Sequence, residues 1–63
     1  MYECIVRIND GREETANNFK SIEDARAWTI GLVDWINEDR GFSCAEGFVY
    51  EKDNVVACFE YDG

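Results

Sequence analysis

The stretch SIEDARAWTIGLVDWINEDRG, Ser21–Gly41, decides the fold, because it reads as one amphipathic helix carrying its own start and stop signals. Ser21 is an N-cap candidate, and Glu23 and Asp24 follow it at the positive end of the helix dipole. Gly41 is a good C′ residue, so the helix is expected to run from Ile22 to residue 39 or 40. On a helical wheel, Ile22, Ala25, Trp28, Leu32, Val33, Trp35 and Ile36 fall within roughly 160°, and this stripe is the expected core face. Ile30 lies off the stripe. Gly31 sits mid-helix on the polar side, where glycine costs about 1 kcal/mol relative to alanine.

Strand patterns flank the helix on both sides. In residues 2–8, Tyr2, Cys4, Val6 and Ile8 alternate with Glu3, Ile5 and Arg7, the period of a strand with one buried face. Asp10-Gly11 is a hairpin-turn signal, and as a two-residue turn it predicts that residues 12–19 return antiparallel. Tyr2 then opposes Phe19, Val6 opposes Thr15, and Arg7 opposes Glu14. Glu13, Glu14, Asn17 and Asn18 disfavour sheet, so this strand is expected to be short or at an edge. Residues 42–51 and 55–61 predict a second hairpin. With Asp53-Asn54 as its turn, Phe48 faces Phe59, Tyr50 faces Ala57, and Val49 faces Cys58. Phe48, Tyr50, Val55, Ala57, Phe59 and Tyr61 would then share the face toward the helix, and Val49, Val56 and Cys58 the other. The expected fold class is α+β: a single compact acidic domain over residues 1–63, ordered ββαββ. Two hairpins form an antiparallel sheet with the helix on one face.

Composition narrows the chemistry. The 63 residues include no histidine and no proline. Histidine acid–base catalysis and His-containing zinc sites are therefore excluded. Cys4, Cys44 and Cys58 form no Cys-x-x-Cys pair and are read as reduced, buried thiols, with no metal or other cofactor expected. Ser21 and Ser43 have no histidine base, and carboxylate pairs such as Glu13/Glu14 or Glu38/Asp39 would need a desolvated cleft. The expectation is a protein that is not an enzyme. The N-terminus lacks the basic leader and long apolar run of a signal peptide, and no segment approaches the roughly 18 apolar residues of a membrane span. A cytoplasmic protein, monomeric or homodimeric, is expected.

The charge distribution carries the functional lead. The net charge is −8, with −1 in residues 1–20 and −7 in residues 21–63. Glu23, Asp24, Asp34 and Glu38 gather on the helix side away from the core stripe. Asp34 and Glu38 repel at i, i+4, and Glu38 and Asp39 occupy the last turn, where the helix dipole disfavours anions. By helical rise, Asp34 and Glu38 stand about 6 Å apart and Glu23 about 16 Å from Asp34. B-DNA presents one negative charge per roughly 1.7 Å of axis, so such a ridge could imitate a short stretch of its field. Direct binding of nucleic acid is not expected, because the acidic surface repels phosphates.

In size, charge and α+β layout the whole chain resembles small acidic anti-CRISPR proteins of phages and mobile elements. The acids Glu23, Asp24, Asp34, Glu38, Asp39, Glu46, Glu51 and Asp53 carry the likeness. Several proteins of that class are DNA mimics that block the target-binding surface of a Cas complex. The resemblance implies an inhibitor whose acids engage a basic nucleic-acid-binding protein, such as a Cas effector. The competing expectation is a small self-associating or antitoxin-like interaction module whose charge serves solubility. Its interface would be the half-apolar second sheet face or an edge strand at 12–19.

Overall fold

The computed structural model describes residues 1–41 and 43–62. Strands β1 (Tyr2–Ile8) and β2 (Glu13–Phe19) precede helix α1 (Ile22–Arg40), and β3 (Cys44–Glu51) and β4 (Asn54–Asp62) follow it. The order is thus ββαββ, in one antiparallel sheet ordered β2-β1-β3-β4. The first position of the third predicted strand, Phe42, lies outside the described residues. β2 is an edge strand, as its composition suggests, but it runs for seven residues.

The helix ends form as their residues dictate. The backbone N–H of Asp24 donates to the Ser21 hydroxyl at 3.1 Å, and the N–H of Gly41 donates to the Asn37 carbonyl at 2.9 Å with Gly41 at φ 89°. The fully buried centre brings Cys4, Val6 and Ile8 of β1 and Ala45 and Val49 of β3 against Ala25, Val33 and Ile36 of α1. Thr29 is also fully buried there. Its hydroxyl donates to the Ala25 carbonyl at 3.0 Å and lies 3.6 Å from the Cys4 sulfur. Burial pushes the Cys4 thiol above its ordinary pKa, so it stays protonated.

Both hairpins differ from the expected register by one residue. In the first, Ile8 N–H donates to the Arg12 carbonyl at 2.8 Å and Gly11 N–H to the Ile8 carbonyl at 3.0 Å. The loop is therefore three residues long, with Gly11 at φ 93° in the conformation such loops require. Val6 pairs with Glu14 and Arg7 with Glu13, while Tyr2 still meets Phe19. An irregularity restores that last pair, and Asn18 absorbs it at φ 67°, a conformation asparagine tolerates. It lets Ala16 and Phe19 share the helix-facing side.

In the second hairpin the turn is Lys52-Asp53, at φ 50° and 70°, the sign pattern of a type I′ turn. Phe48 pairs with Cys58, Gly47 with Phe59, and Val49 with Ala57. A one-residue slip exchanges the faces of a strand. Phe48 and Tyr50 consequently lie on the sheet face away from the helix, while Val49 is fully buried beneath it. Ala57, Phe59 and Tyr61 keep the expected side and pack at the margin of the core. Cys58 stays on the outer side expected for it, now opposite Phe48, but it is exposed rather than buried, and Cys44 is half-buried, so of the three free thiols only Cys4 is buried. The helix-free face carries a row Thr15–Ile5–Phe48–Cys58 across all four strands, beside a charged row Glu13–Arg7–Glu46–Glu60.

Candidate protein-interaction surface

The acids divide among three places. Glu23, Asp24, Asp34, Glu38 and Asp39 are all exposed on α1. Glu51 and Asp53 stand at the β3–β4 turn, which the strand pairing places at the same end of the molecule as the start of α1. Glu46 lies on the opposite sheet face between Arg7 and Glu60 and does not join the helix acids. Arg7 is engaged there, with its Nε 3.2 Å from a Glu13 carboxylate oxygen and its guanidinium 5.6 Å above the Phe48 ring.

The two flanks of α1 differ. Trp28 packs toward β2, its ring centroid 5.6 Å from that of Phe19. Asp34 faces β4, where the Tyr61 hydroxyl donates to its Oδ1 at 2.8 Å. That bond, with lesser help from desolvation and the carboxylate charge, holds the Tyr61 hydroxyl protonated above its ordinary range. Asp34 is thus partly engaged within the fold.

Trp35 departs from expectation. It was the margin of the expected core stripe, yet 65% of it is exposed. The buried stripe is rotated toward Thr29, with Ile30 and Asn37 half-buried on the far flank. The cause lies in β2. Trp35 stands two turns beyond Trp28, toward the Ile8–Arg12 end of the sheet, where the inward residue of β2 is Glu14, with Arg12 just before the strand. Among the described residues, no second aromatic pairs with it as Phe19 does with Trp28.

Gly31 precedes Trp35 by one turn and is also exposed, as is Ala27 one turn earlier. A Cβ added at Gly31 would meet nothing within 4 Å, so no contact within the fold calls for glycine. Gly31→Ala is therefore expected to stabilise the protein by about 1 kcal/mol. Chemical denaturation would register this as a raised midpoint at constant slope. Trp35 thus projects beside a low strip at Ala27 and Gly31, with the exposed Glu38 and Asp39 one turn on and Asp34 on the β4-facing flank. Such a surface can seat an apolar or guanidinium-bearing side chain against the indole while the carboxylates meet cations.

A recess of about 460 Å³, open to solvent, lies elsewhere, at the sheet end between Arg7, Cys44, Glu46 and Asp62. Among the described residues, no three His, Cys, Asp or Glu side chains gather as metal ligands, and no helix is long and apolar enough to cross a membrane. Comparison with protein-family models, with curated proteins and with solved structures finds no match.

Proposed function

We propose that this chain is a non-enzymatic inhibitor that binds a basic, nucleic-acid-handling protein through the acidic outer face of α1 and competes with nucleic acid for that surface. The observation that carries the reading is Trp35. A large indole 65% exposed amid carboxylates contributes little to folding, and tryptophan is prominent among residues that dominate binding energy. Glu38 and Asp39 add to this, since both stand in the last turn, where stability alone would favour cations. A field of one sign steers a basic partner onto the surface and fixes its orientation. A Cas effector belongs to that partner class, in keeping with the resemblance in size and charge.

The test is capture from nuclease-treated host lysate on immobilised protein, followed by competition. The expected result is a basic nucleic-acid-binding protein displaced by duplex DNA and by salt, since the screening length falls from about 10 Å at 0.1 M to about 3 Å at 1 M. Capture that neither DNA nor salt disturbs would overturn mimicry. A sharper prediction concerns Glu38→Lys with Asp39→Lys. Placing cations in the last turn is expected to raise folding stability by a few tenths to about 1 kcal/mol. The same pair is expected to weaken binding about tenfold or more. Calorimetry of the complex beside urea unfolding of the free protein separates the two effects.

A further inference from the structure

We infer that β4 pairs antiparallel with β4 of a second copy, joining two sheets into one of eight strands with Cys58 opposite the partner's Cys58. The two sheet edges are not alike. β2 guards its edge with Glu13, Glu14 and the irregularity at Asn18, devices that discourage strand addition. β4 is nine residues long and contains neither proline nor lysine. Val55 and Val56 are 54% and 42% exposed, and Cys58 is exposed beside them. Among the described residues, no strand pairs with its outer row of backbone N–H and C=O groups. The β3–β4 irregularity falls at Val56, near the start of the strand, and leaves residues 57–62 regular.

A two-fold axis makes the edge self-complementary. Cys58 is the midpoint of Asn54–Asp62, so a register centred on it uses the whole strand. Ala57 then meets the partner's Phe59, and Val56 meets the partner's Glu60. Ala57 and Phe59 are half-buried at the core margin, and this pairing would cover them. A register centred on Glu60 would instead set like charges directly opposite, which is unfavourable. On the helix-free face, the row Ile5–Phe48–Cys58 would continue into the partner's copy of the same row. The pairing uses the β4 edge rather than the Trp35 side of α1, touching the helix acids only through the Tyr61–Asp34 bond, and it responds to salt with the opposite sign. Two chains of net charge −8 repel, so screening favours their association, whereas it weakens binding to a basic partner.

Sedimentation velocity of the reduced protein, from about 10 μM to about 1 mM, spans the range for a small strand-edge interface. The expected result is a dimer that grows with concentration and with salt. A short bismaleimide should join Cys58 to the partner's Cys58, located by mass spectrometry. Val56→Lys, at an exposed edge position, should leave the fold intact and abolish the dimer, whereas Asn17→Lys on β2 should leave it unchanged. A monomer throughout the range overturns the inference. So does a dimer that survives Val56→Lys, is lost with Asn17→Lys, or is cross-linked through Cys44.

Discussion

Trp35→Ala is expected to leave the protein folded while weakening its hold on a basic partner about 30- to 1,000-fold, the factor that corresponds to about 2–4 kcal/mol at an interface anchor. The two halves of this expectation have separate physical grounds. With 65% of its surface in water, the indole gives little burial to the fold, and its removal opens no cavity. In a complex the same ring would be desolvated, with carboxylates around it to neutralise an approaching arginine or lysine. Circular dichroism and urea unfolding check the first half, and titration calorimetry against the captured partner checks the second. Trp35→Phe should recover part of the affinity, because a ring face remains for a guanidinium to stack on. If Trp35→Ala instead lowered stability by as much as a core truncation and left affinity unchanged, the binding surface would lie elsewhere. Trp28 supplies the contrast. It packs on Phe19, and its loss should lower stability first.

What could be read from the sequence was what local chemistry determines. The helix and both its ends follow from Ser21, Gly41 and the apolar period, because caps are satisfied within a few residues. The alternation of β1 was equally plain, since Cys4, Val6 and Ile8 all reach the core. The registers were harder to read. Asp10-Gly11 suits a two-residue turn, yet Gly11 serves as the left-handed residue of a three-residue loop. Lys52-Asp53 carries no Asn-Gly signal, although both residues adopt positive φ. The longer first loop shifts its pairing by one residue; in the second hairpin the displaced turn shifts pairing by two and the extra residue at Val56 returns one, and that net slip turned Phe48 and Tyr50 outward. The irregularities at Asn18 and Val56 leave no mark in composition. Of the acidic surface, membership on the helix was legible from the wheel, but the separation of Glu46 from it depended on strand faces. The position of Trp35 was illegible for another reason. A wheel gives the angle of a side chain but not the reach of the neighbouring strand. Departures of this kind, where a residue suits the local pattern but not the packing, tend to gather at functional surfaces.

Gly47→Ala is expected to be the most damaging single-methyl change in the fold. Gly47 lies on the inner face of β3, between Val6 of β1 and Phe59 of β4. The Phe59 ring crosses it, and an added Cβ would stand 2.8 Å from its Cζ, with other ring atoms also crowded. The methyl must push the ring outward or part the strands. Overpacking of this kind costs about 1–3 kcal/mol. A 63-residue domain has only about 3–9 kcal/mol in total, so the melting temperature should fall by about 5–20 °C. The contact makes a stricter demand that a general loss of strand quality would not. Shortening the ring with Phe59→Leu should make Gly47→Ala far less costly, giving a coupling of about 1 kcal/mol or more between the two sites. If the cost of Gly47→Ala is the same with leucine at position 59, the crowding is not its source. The pairing also explains how one helix suffices for four strands. α1 covers β1 and β3, and a ring laid over a glycine lets β4 close the margin of the core without a second helix.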